Sequence, residues 1–526
     1  MRLFTTITAL RCDLTVRKAQ RPDGTVGFVP TLGNLHLGHL SLIRRAKLDN
    51  DIVVVSVFVN PLQFGPQEDF KQYPRTLEQD LKRCEETGVD VVFSPAPEIL
   101  LGSSLLSSPT ATPTSTLDLP TRTQVIPPQS MTDRLCGSAR PGHFPGVTTI
   151  VAKLLNIVRP NRVYFGQKDA QQLAIIRRMV ADLDWPVEVI ACPIVRETSG
   201  LALSSRNRYL SPEQRQQAEA LYRSLVRGEQ IFNQGILSAA AIKQAVWSEL
   251  SNVSVLKVDY VELVDPETLK PIQNIEEAGL LAVAAYIGST RLIDNIVLRN
   301  RRPILAIDGP AGAGKSTVTR RLSEALGLMY LDTGAMYRAV TWLAMQSQVA
   351  LQDEPAIAEL VHQCQIDLVP QQDTLQVLIN QQDVTEGIRS PEVTANVSTL
   401  AAQPAVRQAL VKQQQSYGRK GGIVAEGRDI GTYVFPNAEL KIFLTASVKE
   451  RSQRRQMELQ QQGHGPITLE SIEREITLRD QKDTTRAFAP LRKAADAVEI
   501  QTDGLDIDQV TQQIIQLYRE RNLDKK

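Results

Sequence analysis

His36-Leu37-Gly38-His39 places two of the chain's five histidines within four positions. An i, i+3 spacing at a helix start sets both imidazoles on one face, and Gly38 permits close approach of a ligand to the backbone. Such a pair can donate hydrogen bonds to a triphosphate and to the charge that builds at an α-phosphorus. Zinc is the rival ligand, but a third Cys or His is missing from the neighbourhood. A second constellation follows the apolar run at 304–308, where Gly309-Pro310-Ala311-Gly312-Ala313-Gly314-Lys315-Ser316 completes G-x-x-x-x-G-K-S. Its glycines let backbone N–H groups converge on phosphate oxygens, the next helix adds its dipole, and Lys315 reaches the β- and γ-phosphates. Ser316 offers a hydroxyl to Mg²⁺, and Gly309, Gly312, Ala313, Gly314, Lys315, Ser316 and Thr317 form the nucleotide-binding set.

A P-loop alone leaves kinase, ATPase and GTPase open; the residues after it narrow the choice. Asp332-Thr333-Gly334-Ala335-Met336-Tyr337-Arg338 puts an arginine on a helix just past a turn, suited to a second phosphate. Glu426-Gly427-Arg428-Asp429 follows an apolar run at 422–425, at the carboxyl end of a strand, where α/β sheets bind ligands. Arg479-Asp480-Gln481-Lys482-Asp483-Thr484-Thr485-Arg486 is a dense basic segment. Phosphoryl transfer needs cations over the equatorial oxygens and exclusion of water, which an arginine-bearing lid supplies. The N-K-x-D base signature of GTPases is missing. Arg451, Arg454 and Arg455 read as a solvated helix face, with membership of the lid as the alternative.

Short apolar runs alternating with helical patterns predict parallel sheets flanked by helices to carry these groups. Strands are expected at 26–30, 51–59, 89–93 and 162–165, with a helix from about residue 38. Ser211-Pro212-Glu213-Gln214 is a capping box opening a long helix, and strands at 258–264 and 280–287 suggest a smaller α+β unit. Residues 103–116 hold nine Ser or Thr in fourteen, a composition that predicts a disordered surface loop. The basic seam at 299–303 marks a domain boundary, since a new strand–loop–helix begins directly after it.

The 526 residues correspond to roughly three to four domain-sized units at ~150 residues each. A net charge of 59 − 58 = +1 and a pI of 7.6 argue against nucleic acid as a partner. No apolar run approaches the ~20 residues a bilayer crossing needs, and the N-terminus lacks a signal-peptide pattern. Five scattered cysteines make neither a disulfide framework nor a metal motif, so a soluble cytoplasmic protein is expected.

From about residue 303 onward the motifs closely resemble bacterial cytidylate kinase. The resemblance implies a nucleoside-monophosphate-kinase fold with a three-stranded insertion near 366–384 and a lid near 479–492. It assigns Arg338, Arg428 and Arg486 to the CMP phosphate, Ser398, Arg407 and Asp429 to cytosine, and Arg479 and Asp483 to the sugar. In the first half, the histidine pair is joined by Asn60-Pro61-Leu62-Gln63-Phe64-Gly65, Arg140-Pro141-Gly142-His143-Phe144 and Phe165-Gly166-Gln167-Lys168-Asp169. Leu203-Ser204-Ser205-Arg206-Asn207 is similar to the K-M-S-K-S loop of adenylate-forming synthetases. Together these resemble pantothenate synthetase (pantoate–β-alanine ligase) as far as Thr290-Arg291-Leu292-Ile293-Asp294-Asn295. The whole chain thus resembles the bifunctional pantoate ligase/cytidylate kinases of cyanobacterial type.

The implied organisation is α/β throughout. A Rossmann-like nucleotidylyltransferase-type domain (1–190) and a small α+β subdomain (191–296) form the ligase, and 297–526 the P-loop kinase. The implied ligase chemistry is attack of pantoate on the α-phosphorus of MgATP, then displacement of AMP by β-alanine. By the same resemblance His36 and His39 bind phosphates, with the acid role on His36, while Lys168 and Arg206 neutralise the triphosphate and Ser204 and Ser205 hydrogen-bond to it. Gln63 and Gln172 orient pantoate, Asp169 binds the ribose, and Pro30, Thr31, Leu32, Gly166, Val195 and Leu203 line the nucleotide pocket. Leu203 stands where the family usually has methionine, a volume-conserving exchange. The resemblance also implies CMP and dCMP as acceptors and allows a homodimer through the ligase half. Two other readings stay open: a nucleotidylyltransferase joined to a UMP or shikimate-type kinase, and a nucleotide-gated binding module without turnover.

Overall fold

The computed structural model describes every residue except 23, 66, 67, 69, 103–122, 372–374, 462–467, 487, 488, 522 and 524–526. The Ser/Thr-rich stretch at 103–116 lies outside the described residues. Contacts divide the chain into two units, Met1–Asn300 and Arg301–Lys526.

In the first unit, strands β1 (Arg2–Phe4), β2 (Val26–Thr31), β3 (Ile52–Val57), β4 (Val91–Phe93), β5 (Arg162–Gly166) and β6 (Glu188–Cys192) form one sheet. Its order is β1-β4-β3-β2-β5-β6, and every pairing is parallel. Helices cover both faces of such a sheet, so its strands carry near-continuous apolar runs; Val53, Val54 and Val55 have no exposed surface. Chain order reverses between β2 and β5, and a crevice must open there at the carboxyl ends of the strands. The helices Leu37–Asp49 and Ala170–Asp182 leave from that edge.

The capping box at Ser211 forms as the sequence predicts, with Ser211 Oγ accepting from Gln214 N–H at 3.1 Å and Gln214 Oε1 from Ser211 N–H at 3.0 Å. The expected long helix is two, Pro212–Ala218 and Ala220–Asn233. Between them the Glu219 N–H bonds back to Gln216 O at 3.3 Å, an i→i−3 closure where Ala218 and Ala220 enter the core. These helices and Ala239–Ser251 pack on an antiparallel meander of β7 (Leu256–Val264), β8 (Ala278–Ile287) and β9 (Thr290–Arg299). Because β9 runs through Arg299, the first unit extends past residue 296.

The second unit is built on β10 (Ile304–Asp308), β11 (Met329–Asp332), β15 (Ile423–Gly427), β16 (Leu440–Thr445) and β17 (Val498–Gln501). They form a parallel sheet ordered β11-β15-β10-β16-β17. Alternation along β10 sends Ile304 and Ala306 into one core and Leu305 and Ile307 into the other. Between β11 and β15 the chain makes a separate antiparallel sheet of β12 (Ile366–Pro370), β13 (Leu375–Ile379) and β14 (Gln382–Asp383). The basic segment at 479–486 is the last turns of the helix Leu469–Thr485, with Arg486 as its C-cap.

Candidate active sites

The crevice of the first unit is a cleft of about 260 Å³ at the carboxyl ends of β2 and β5. All residues expected from the sequence to contact nucleotide or pantoate in this half lie on its wall, from Pro30, Thr31 and Leu32 to Ser204, Ser205 and Arg206. They come from five separate stretches of chain, so the sheet order is what brings them together.

His36 is the N-cap of the helix Leu37–Asp49 rather than a member of its face. Its Nδ1 accepts the Gly38 N–H at 3.1 Å, and His39 Nδ1 accepts the His36 N–H at 3.3 Å. An Nδ1 that accepts a hydrogen bond carries no proton, so both rings are Nε2–H tautomers with that N–H left to donate. The ring centroids are 4.1 Å apart. Burial and then Lys168 push His36 down to about 4, while burial, His36 and Lys168 hold His39 well below its ordinary value. Both imidazoles are therefore neutral donors at neutral pH. The need for Gly38 differs from the sequence expectation: a Cβ there would lie 2.9 Å from His36 Cε1. The glycine makes room for the capping ring before it makes room for a ligand.

The turn before His36 is fixed by Asp80, which sequence reasoning missed. Its fully buried carboxylate accepts the N–H groups of Asn34 at 2.9 Å and Leu35 at 2.8 Å. In sequence it looks like an ordinary first-turn acid of the helix Leu77–Glu86. His143 donates Nδ1–H to Gln63 O at 2.7 Å and receives Arg140 Nη1–H on Nε2 at 3.2 Å. Arg140 is in turn paired with Glu68 at 2.5 Å. Burial and Arg140 lower His143 to about 3, so this ring is a neutral strut for the Gln63 backbone. Lys168 Nζ stands 3.9 Å from the Asp169 carboxylate. The Val195 carbonyl accepts the Leu203 N–H at 2.9 Å, closing the hairpin that presents Ser204, whose hydroxyl caps the turn at Arg206 N–H.

In the second unit the phosphate loop joins β10 to the helix Lys315–Leu326. Gly309 has φ +152°, and a Cβ on it would come within 2.0 Å of Leu444 O on β16, so no larger residue fits. Lys315 is buried and donates to Pro310 O at 2.7 Å; burial, then Arg428, holds its ammonium well below the ordinary lysine range. Ser316 and Thr317 are exposed on the first turn, beside Gly312, Ala313 and Gly314 of the loop. Ser316 Oγ donates to Glu426 Oε2 at 2.9 Å. Glu426, quoted in the sequence motif without a role, is buried and also accepts from Tyr330 Oη. Asp308 at the end of β10 accepts the N–H groups of Ile430 and Gly431 at 2.7 Å each, and burial raises it to about 6.

Most of the expected acceptor residues are held in ion pairs. Arg428 pairs with Asp483 at 2.8 Å, Arg338 with Asp332 at 3.0 Å, and Asp429 receives both Arg407 and, at 3.4 Å, Arg486. Arg479 has its pKa lowered by burial and by Arg428, and its buried Nε lacks a partner among the described residues. Burial and Arg407 lower Arg486 as well. Crowded cations in low dielectric with an unmet donor can stabilise an anion placed among them. Ser398 stands half-buried on the helix Pro391–Ala401, the helix before the one that carries Arg407.

Arg451 corrects the sequence reading of a solvated face. Only 4% of its side chain is exposed, and it donates to Ala446 O at 3.0 Å, to Ala311 O of the phosphate loop at 3.1 Å and to Asp480 at 2.6 Å. The helix Val448–Gln461 turns this residue inward because the loop carbonyl and an acid on the next helix lie there to receive it. Arg454 is half-buried and pairs with Glu450 at 3.1 Å.

Family models match both units: pantoate-β-alanine ligase over residues 2–297 and cytidylate kinase over residues 305–520. A bifunctional pantoate ligase/cytidylate kinase of Trichodesmium erythraeum (strain IMS101) is 59% identical over 525 residues, 99% of this chain and 98% of that one. The chain belongs to the bifunctional pantoate ligase/cytidylate kinase family. A second relative of that name, from Nostoc sp. (strain PCC 7120), is 56% identical over 540 residues, 99% of each chain. The crystal structure of pantothenate synthetase from Thermus thermophilus is 45% identical, with a TM-score of 0.50, covering 56% of this chain and 99% of that one. The protein is thus an enzyme with a ligase unit and a kinase unit, each α/β. No helix among the described residues is long and apolar enough to cross a membrane.

Proposed function

We propose that the ligase unit condenses pantoate with β-alanine through pantoyl adenylate and that the kinase unit phosphorylates CMP and dCMP, both at the expense of ATP. The observation that carries the ligase half is the pair of neutral imidazoles with Nε2–H groups on the same wall as Lys168. A carboxylate is a poor acyl donor because its leaving oxygen is too basic. Attack of a pantoate carboxylate oxygen on the α-phosphorus expels pyrophosphate and converts that oxygen into part of AMP. The β-alanine amine then attacks the acyl carbon, AMP leaves with its electron pair, and the amine loses its proton to solvent.

His36 and His39 donate Nε2–H to phosphate oxygens, Lys168, Arg206, Ser204 and Ser205 meet the charge on the pentacoordinate phosphorus, and Asp169 takes the ribose. Gln63, braced by His143, and Gln172 orient pantoate. Charged or neutral donors of this kind each contribute on the order of 10²–10³ in rate. Most of the acceleration comes from positioning and fixed dipoles, with no covalent enzyme intermediate.

In the kinase unit the loop amides and Lys315 hold ATP while Arg338, Arg428 and Arg486 hold the CMP phosphate, so that its oxygen attacks the γ-phosphorus in line. Arg407, Asp429 and Ser398 read the cytosine edge, where an exocyclic amino donor meets a carboxylate or hydroxyl and an acceptor edge meets a guanidinium. Ser316 Oγ beside the Glu426 carboxylate is a hard-oxygen set that fits Mg²⁺, which would neutralise β/γ-phosphate charge.

Pantoate labelled with ¹⁸O in its carboxylate tests the scheme. Label recovered in AMP, formed only with pantoate and β-alanine, together with ADP formed only with CMP or dCMP, is expected. Unlabelled AMP would overturn the adenylate, and equal turnover of UMP and CMP would overturn the base contacts.

A further inference from the structure

Asp294 and Asn295 are consecutive residues on β9, 2% and 5% exposed, and they grip two different catalytic segments. The Asn295 Nδ2 group donates to Gln167 O at 3.0 Å and to Lys168 O at 2.9 Å. Two carbonyls on one side require the NH₂ end of the carboxamide there, so both of its N–H bonds are committed to the main chain of the lysine turn. Asp294 accepts Arg196 through two bonds, 2.6 and 3.0 Å, and also the Asn295 N–H at 2.8 Å. Arg196 reaches on to Gly200 O at 3.0 Å and lies 4.1 Å over the Tyr222 ring. It is also bridged to Ala202, at the base of the hairpin that presents Ser204, Ser205 and Arg206. The Lys168 ammonium adds to the charges that oppose the burial of Asp294.

We propose that Asn295 is a positioning residue for the ligase reaction: its carboxamide sets where Lys168 stands relative to the hairpin that Asp294 anchors through Arg196. The proposal rests on the reading of Lys168 as a phosphate-neutralising group. Lys168 follows β5 in a short turn, Gln167–Asp169, and within that turn its carbonyl and that of Gln167 are the groups held by β9. Strand β9 thus holds both segments read as meeting the phosphates, the lysine turn through Asn295 and the hairpin through Asp294 and Arg196. A shift of about 1 Å in such a group costs on the order of 10²-fold in rate.

The test uses the full chain and reads pantoate-dependent ATP–pyrophosphate exchange, with CMP phosphorylation by the same preparation as reference. Asn295→Asp keeps size but places oxygen against two carbonyls; Asn295→Ser, smaller and uncharged, keeps one donor and covers the event that the first variant unfolds the unit. A fall in exchange kcat of about 30-fold or more in Asn295→Asp and less in Asn295→Ser, with the ATP KM moving under threefold and CMP turnover unchanged, is expected. The Lys168→Ala/Asn295→Asp double variant is expected to be no slower than Lys168→Ala alone, because both act through one group. Unchanged kcat with only a lower melting temperature, or penalties that multiply in the double variant, would overturn the positioning role. Full exchange by Lys168→Ala itself would instead overturn the reading of the lysine.

Discussion

At the scale of single residues the two proposed ATP sites offer opposite chemistry. The ligase presents neutral N–H donors with a few cations, and the kinase presents backbone amides, a buried lysine and paired arginines. Lys315→Ala is therefore expected to lower CMP phosphorylation by about 10³-fold or more and leave pantothenate formation unchanged, with His36→Ala giving the reverse pattern in paired assays of one preparation. The depressed His36 value also has a thermodynamic consequence. Unfolded, this histidine binds a proton below its ordinary 6.5; folded, it does so only below about 4. The unfolded state thus takes up protons first, and the stability of the ligase unit falls as pH drops from 6.5 towards 4. Melting midpoints between pH 7.5 and 4.5 should decline, and the decline should be shallower in His36→Gln. Residues proposed to meet ligand, such as Lys315 or His36, were legible because their types are scarce or tightly spaced. Asp80, Glu426 and Arg451 were not, since each acts on a partner brought to it by the sheet or by a neighbouring helix.

At the scale of elements, the helix Leu37–Asp49 and the phosphate loop each depend on one tight fit. Alanine favours a helix over glycine by up to about 1 kcal/mol, yet a Cβ at position 38 meets the capping ring. Gly38→Ala is expected to cut adenylation at least about tenfold without lowering the melting temperature of the ligase unit, a combination read by kinetics and calorimetry together. Arg451 ties the phosphate loop to Asp480, one residue from Arg479 and three from Asp483. Arg451→Lys cannot keep three directed bonds on one ammonium, so CMP phosphorylation should fall by about tenfold or more while ligase turnover holds. Strand positions were readable from apolar runs such as that of β3, because a strand buried on both faces has no alternation to confuse. The break at Glu219 was hidden because both sides of it are good helix sequence, and only burial of Ala218 and Ala220 shows why the turn tightens.

For the molecule as a whole, each unit closes its own core: Leu281 and Val283 with the ligase helices, Ile304 and Leu305 with the kinase layers. Chains 1–300 and 301–526 made separately should each fold and keep their own activity within about threefold of the full chain, as measured by pantothenate and CDP formation. The seam was visible as a basic stretch before a proline, but its position after Arg299 depended on how far β9 extends, and strand ends are set by pairing with Ala278 rather than by composition.

That seam has a further implication. Because one message yields both catalysts on one polypeptide, a cell holds them in equal number at every moment. Their outputs can then be set apart only by substrate supply or by turnover rate, never by making more of one than of the other.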